Sequence, residues 1–315
     1  MANLKIDSGW PIFLININYI KKYITLDICQ VISYYWFMNK YNKQVIIEKQ
    51  DLTKLNWSKI RNSSGTAGSF LKSFAKEGDK KIYYKLSNYD NIKGVVGTEN
   101  FNEIIVDRLL DILGVEHLHY KLIHADIIVD EKKLDTYVCA SEDFKDLNED
   151  KLPLDNYYEV EHKKGEDRLL FCINRGWDKY VYEMFVIDFL ILNRDRHGAN
   201  VEVLRNRKNK TIRLAPLFDH GLSLLFSCNN DEEISNFNVM EDKKINSYLG
   251  SNSARDNLDL IPTDKLPVFN PLKESDKEVI FKDLDKIMSQ HLINKIWSMI
   301  YSRWCFYEDF CNKRK

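Results

Sequence analysis

Two acid-bearing motifs, set a short distance apart, constrain this chain more than any other feature. Asn193-Arg194-Asp195-Arg196-His197-Gly198-Ala199-Asn200 holds an acid, a histidine two residues on and an asparagine five on. Ala215-Pro216-Leu217-Phe218-Asp219-His220-Gly221 holds a second acid, 19 residues after Asn200. Upstream, residues 178–192 put Val181, Met184, Phe185, Phe189 and Leu192 on one face at helical spacing, so the first motif reads as a loop closing a buried helix. Between the motifs, residues 201–204 and 211–214 read as short strands joined by a basic tip, residues 205–210. Such a hairpin folds back and brings Asp219 beside Asn200. One carboxylate to orient an attacking hydroxyl, together with oxygen ligands for Mg²⁺, is the set that phosphoryl transfer needs. A polar loop ending a helix explains Asp195 and Asn200 alone, but leaves Asp219 in its own motif unexplained.

Bulk properties agree with a large globular chain. At 315 residues, with 44% hydrophobic and 30% charged positions, it has material for two domains or two lobes. Lys plus Arg total 46 against 47 Asp plus Glu, so there is no basic excess for nucleic acid, and the basic tip reads as a solvated turn. The six cysteines form no C-x-x-C pair, which points to a reducing cytoplasm without disulfides or a zinc-cysteine site. Residues 1–10 lack a signal-peptide pattern, and no apolar run is long enough to predict a membrane span. His117, His119 and His124 have no cysteine near them, and read as satisfied or exposed histidines.

Along the chain, residues 28–37 read as a buried helix in a stretch, 1–60, whose role the sequence does not indicate. Residues 82–86 read as a strand and residues 99–113 as a helix ending at Gly114. Residues 122–129 and 134–139 flank Asp130-Glu131-Lys132-Lys133 as a hairpin. Residues 141–156, polar and acidic, read as the linker into a helical second half that closes with a helix over 286–310. Residues 227–257 are polar and serine-containing, the composition of a gating segment or of a long surface loop.

Asp195-x-His197-x-x-Asn200, with Pro216-Leu217-Phe218-Asp219 downstream, resembles the catalytic and metal-binding signature of HipA-like serine/threonine kinases. The Asp-Arg-His-x-x-Asn and Asp-His-Gly forms are also similar to those of phosphoinositide kinases. A chain of this length mixing both styles resembles the CtkA-type, a compact bacterial branch of the HipA-like group. The resemblance runs from about residue 60 to residue 315. It implies an α+β, two-lobed, protein-kinase-like fold, with a β-rich N-lobe over residues 1–142 and a mainly helical C-lobe over residues 143–315. It implies a phosphotransferase that uses ATP and Mg²⁺, acts on protein hydroxyls and autophosphorylates. Asp195 would be the catalytic acid, His197 would brace its loop, and Asn200 and Asp219 would hold Mg²⁺. An antitoxin-like or host protein partner, and delivery outside the producing cell, are compatible with such a protein.

The same resemblance asks for upstream pieces. Asn62-Ser63-Ser64-Gly65-Thr66-Ala67-Gly68-Ser69 is a small-residue turn whose N–H groups suit phosphates, though it is no Walker A loop. By resemblance Ser64, Gly65, Thr66, Ala67 and Gly68 bind ATP, and Ser63, Ser64 and Ser69 are autophosphorylation candidates. Lys85 would contact the α- and β-phosphates and pair with Glu103 or, failing that, Glu99. Its alternative is an edge-strand lysine facing solvent, and that of Glu103 is a capping box with Asn100. The adenine would lie near Cys139, Ala140 and Ser141. Asp188 would brace the catalytic loop by accepting from the backbone or from His197, or else face solvent. Rival functions are a lipid or small-molecule kinase and a non-catalytic kinase-like module. Residues 229–257 mix both signs of charge, which disfavours the lipid reading.

Overall fold

The helix expected over residues 99–113 organises the molecule, because it is buried on almost every side. The computed structural model describes residues 43–58, 70–78 and 80–314, so the reading of residues 28–37 and the glycine-rich turn at residues 62–69 lie outside the described residues. Twelve of the 15 residues of α1 (Glu99–Leu113) are buried, and Gly114 ends it in the left-handed conformation at φ 76°. Burial extends to its polar residues, so each must find a partner. Asn102 donates to the carbonyls of Gly221 (2.9 Å) and Ser223 (3.0 Å). Arg108 donates to Gln44 Oε1 (2.6 Å) and to the carbonyls of Ile280 (2.8 Å) and Lys282 (2.7 Å). Through these bonds α1 joins segments far apart in sequence.

On one side of α1 lies a five-stranded sheet of β1 (Val45–Asp51), β2 (Lys72–Glu77), β3 (Lys80–Leu86), β6 (Tyr120–Val129) and β7 (Lys132–Glu142). Its order is β1-β6-β7-β3-β2. β1 runs parallel to β6 and the other neighbours are antiparallel. The two-stranded hairpin of β4 (Tyr89–Asp90) and β5 (Gly94–Val95) separates β3 from α1. The expected β6–β7 hairpin is present with longer strands and a two-residue turn, Asp130 and Glu131, both at positive φ (49° and 64°) as a primed turn requires.

The helical part holds α2 (Leu154–Glu161), α3 (Arg168–Asn174), α4 (Asp178–Ile191), α5 (Asp231–Asn236), α6 (Ala254–Asp259), α7 (Asp276–Ile280) and α8 (Gln290–Arg314). α4 is the expected buried helix, and it packs against α6 and α8. α8 begins at Gln290, after a 3₁₀ turn at Leu284–Lys286, so the helix expected from residue 286 starts later. The remaining strands are β8 (Glu149–Pro153), β9 (Asp195–Arg196), β10 (Glu202–Asn206), β11 (Ile212–Leu214) and β12 (Asn246–Ser247).

The stretch 141–156, read as a linker, contains a strand instead. β8 pairs antiparallel with β10, and the Glu149 carboxylate takes both Nε (2.9 Å) and Nη2 (2.8 Å) of Arg213 on β11. A polar strand whose partner lies some 50 residues away carries no local signature, because its pairing and charge satisfaction are both non-local.

Arg303 on α8 is 1% exposed and donates to the carbonyls of Phe189 (2.9 Å), Val239 (2.8 Å) and Glu241 (2.6 Å). Burial lowers its pKa to about 10. Replacing it with leucine removes the donor from three carbonyls, at ~1–3 kcal/mol for each one left buried. Arg303→Leu is therefore expected to lower unfolding stability by at least ~3 kcal/mol in a urea titration; an unchanged midpoint would mean that water replaces the guanidinium.

Candidate active site

β3 is an interior strand between β2 and β7, which removes the edge-strand reading of Lys85. Its side chain is 12% exposed, and its ammonium lies 3.1 Å from Glu103 Oε1 on α1 and in contact with the Asp219 carboxylate. Burial works to lower the Lys85 pKa, but the two carboxylates outweigh it and hold the amine protonated. Burial pushes Glu103 upward, against the pull of Lys85. The capping-box reading fails too: the residue capping α1 is Thr98, without a side-chain cap, and Glu103 points inward. Its second oxygen accepts from the His220 N–H at 2.9 Å. Glu99 instead accepts from the Asn88 N–H at 3.1 Å.

The loop of the first acidic motif hangs from the end of α4, where Leu192 adopts φ 50°. Asp188 is buried and accepts from Asn193 Nδ2 (2.9 Å) and from the Arg196 guanidinium (2.8–3.2 Å), not from His197. Arg196, which the sequence places in the Asp-Arg-His motif without a role of its own, is the organising side chain. It is 1% exposed, and its Nη1 also donates to the carbonyls of Phe218 (2.7 Å) and Asn200 (3.3 Å). One guanidinium therefore ties α4 to both acidic motifs. An arginine between an acid and a histidine looks like any surface charge until its burial is seen.

His197 Nδ1 accepts from the Ala199 N–H at 3.1 Å, and its Nε2 lies 3.6 Å from Asp195 Oδ2. Gly198 is required here, because a Cβ would lie 2.7 Å from that of Asp155 on α2. Asn200 Nδ2 donates to the Asp195 carbonyl at 2.8 Å. β9 pairs in parallel with β12, within the 227–257 segment, and there Asn246 Nδ2 donates to Asp195 Oδ1 at 3.1 Å. The Asp195 side chain remains 31% exposed, so a second molecule can reach it.

Asp219 adopts φ 59°, a conformation L-residues rarely hold without support. Support comes from the Tyr120 hydroxyl, which accepts from the Asp219 N–H at 3.1 Å, and from the Arg196 bond to the preceding carbonyl. Gly221 follows where only glycine fits easily, since a Cβ would lie 3.0 Å from that of Glu99 and 3.4 Å from Lys85 Nζ. Asp219 and Asn200 offer a carboxylate and an amide oxygen. With Nδ2 turned to the Asp195 carbonyl, Asn200 Oδ1 has no hydrogen-bond donor among the described residues. Hard oxygen donors of this kind fit Mg²⁺.

Cys139, Ala140 and Ser141 lie on β7, paired with β3 on one side and β6 on the other. Cys139 faces Lys85 across the ladder, and burial, then Glu103, pushes its thiol well upward. The residues Ser63, Ser64, Gly65, Thr66, Ala67, Gly68 and Ser69 lie outside the described residues. Ser58 and Lys72, which flank them, are paired with each other through two 2.9 Å backbone bonds.

Among solved structures, the chain resembles the Helicobacter pylori proinflammatory kinase CtkA at 17% identity and a TM-score of 0.56, over 84% of this chain and 97% of that one. The fold is kinase-like. HipA of Shewanella oneidensis MR-1, solved with HipB and operator DNA, matches at 14% identity and a TM-score of 0.38, over 79% of this chain and 67% of that one. No family model matches the sequence, and no curated protein matches it. The expected architecture, α+β with a β-rich sheet and a helical part, is present and is shared with the CtkA structure.

Breaking a buried ion pair from one side strands the other charge, at ~3–5 kcal/mol. Arg196→Leu and Asp188→Ala are each expected to destabilise by about that amount in chemical denaturation, and the double variant by less than the sum. Additive effects would show that the two groups do not act as a pair.

Proposed function

We propose that this chain is an ATP- and Mg²⁺-dependent phosphotransferase that modifies serine or threonine hydroxyls of proteins, its own included. The observation that carries the reading is the Lys85–Glu103 ion pair joined by Asp219, with the Asp195–Asn200 loop tied to the same point through Arg196. Four segments distant in sequence converge there on a lysine, a structural carboxylate and two oxygen donors. That is the set for gripping nucleotide phosphates and presenting them to a hydroxyl.

In this reading Lys85, kept cationic by its two carboxylates, holds phosphate oxygens. Asp195 accepts and orients the acceptor hydroxyl with a carboxylate fixed by Asn246, so little conformational freedom is lost at the moment of reaction. Asn200 and Asp219 would hold Mg²⁺, which supplies charge neutralisation at the phosphates when bound. Glu103 acts through Lys85 and through the His220 N–H, and so is a positioning residue. The ladder on both sides of Cys139, Ala140 and Ser141 occupies their backbone groups, so the adenine would meet the chain as it leaves β7. Ser64, Gly65, Thr66, Ala67 and Gly68 would cover the phosphates, with Ser63, Ser64 and Ser69 as self-acceptors.

The test is incubation of purified protein with γ-labelled ATP and Mg²⁺, alone and with a generic basic protein or phosphoinositide vesicles. Label on serine or threonine is expected for the wild type. Asp195→Ala and Asp219→Ala should each reduce transfer at least ~100-fold while remaining folded. Lys85→Ala should raise the KM for ATP. Label on lipid alone would transfer the reading to a lipid kinase, and ATP binding without any transfer would make the chain a kinase-like module.

A further inference from the structure

A second cluster of chemistry-bearing groups lies at the other end of α1. Asp107 and Asp111 stand one helical turn apart. After the turn at Gly114 the chain returns His117 and His119 to the same place. One ligand-capable atom from each of the four residues lies within 4.8 Å of all the others. The histidines were readable in the sequence, but the carboxylates come from a helix face that the local pattern does not align with them.

The hydrogen-bond pattern asks for positive charge at this point. His117 is buried, and its Nδ1 lies 2.7 Å from the Val115 carbonyl, an acceptor only, so Nδ1 carries a proton. Its Nε2 lies 2.8 Å from Asp107 Oδ1. A neutral ring with the proton on Nδ1 turns an Nε2 lone pair onto a carboxylate oxygen, so this contact is attractive only with a proton or a metal ion between the two atoms. His119 Nδ1 comes within 3.0 Å of the same oxygen, and Asp111 brings a fourth ligand-capable atom to the cluster. A ring whose Nδ1–H donates to a carbonyl while Nε2 faces other donors has the arrangement by which proteins orient metal-binding histidines. Asp107 Oδ2 is itself fixed by Gln44 Nε2 (2.8 Å) and the Tyr120 N–H (2.7 Å).

We propose that Asp107, Asp111, His117 and His119 bind one divalent transition-metal ion of the zinc class. Two imidazoles with carboxylate oxygens are a borderline donor set that suits Zn²⁺, whereas Mg²⁺ and Ca²⁺ take oxygen ligands. Two carboxylates also balance the charge of a divalent ion held by neutral rings. The His119 side chain is 62% exposed, which opens a route for the ion. Binding here would stiffen the segment behind Asp219. Leu118 N–H donates to the Leu217 carbonyl (2.8 Å) and Leu217 N–H to that of Glu116 (3.3 Å). Tyr120, held by Asp107 through its N–H, holds the Asp219 N–H through its hydroxyl. The ion is therefore structural, and separate from the Mg²⁺ proposed at Asn200 and Asp219.

The experiment is a Zn²⁺ titration of the tag-free full chain after chelator treatment, read by calorimetry and by metal content after gel filtration. One Zn²⁺ per chain is expected, with a dissociation constant of ~1 µM or lower and a higher melting temperature. His119→Ala, at an exposed position, and Asp111→Asn should each weaken binding at least ~10-fold, whereas Asp219→Ala should leave it unchanged. No stoichiometric uptake would overturn the proposal. So would uptake insensitive to His119→Ala, or uptake lost in Asp219→Ala, which would assign the ion to the nucleotide site.

Discussion

A helix buried on nearly all sides can carry charged and amide side chains only if each finds a partner in the interior. α1 carries Asn102, Glu103, Asp107 and Arg108, every one buried. Leaving one of them unsatisfied costs ~1–3 kcal/mol, and more for a charge. Their partners therefore decide where the rest of the chain goes. Glu103 draws Lys85 from the sheet and the His220 N–H from the second acidic motif. Asn102 takes the carbonyls just beyond it. Arg108 takes the carbonyls at the end of α7, and Asp107 takes the returning histidines. The candidate nucleotide site and the proposed metal site are two consequences of the same constraint.

Arg196 plays the corresponding part in the helical region. A buried guanidinium has five donors in a fixed plane, so it can hold several acceptors at set angles. Here it spans the Asp188 carboxylate, the Asn200 carbonyl and the Phe218 carbonyl. The left-handed backbone at Leu192 and Asp219 sits at the two ends of that span. Strain of this kind persists only where surrounding bonds over-determine the conformation. At Asp219 those bonds come from Tyr120 on β6 and Arg196 on the loop, so sheet and helical elements together hold the carboxylate beside Lys85.

The two acidic motifs, the helix ending at Gly114, the hairpin around Asp130-Glu131-Lys132-Lys133 and the strand carrying Lys85 were legible because each has a local signature: a period, a turn residue or a fixed spacing. The choice of Glu103 over Glu99 was legible only as a preference, since both lie in the first turns of one helix. β8 was not legible, because its pairing with β10 and the bond from Glu149 to Arg213 are satisfied far away in sequence. Nor was the weight of Arg196, which depends on burial.

By itself, the sequence determined which chemistry the chain can carry: an acid, a histidine and an amide in one loop, a second acid after a hairpin, and a lysine in a strand. Those choices are written in residue identity and short spacing. Tertiary structure alone decided that Lys85 meets Glu103 and Asp219, that Asn246 holds Asp195, and that Asp107 and Asp111 meet His117 and His119. The reason is physical. A buried polar group is stable only with a partner, and that partner is set by which segments the apolar core brings together, not by which residues stand nearby in the chain.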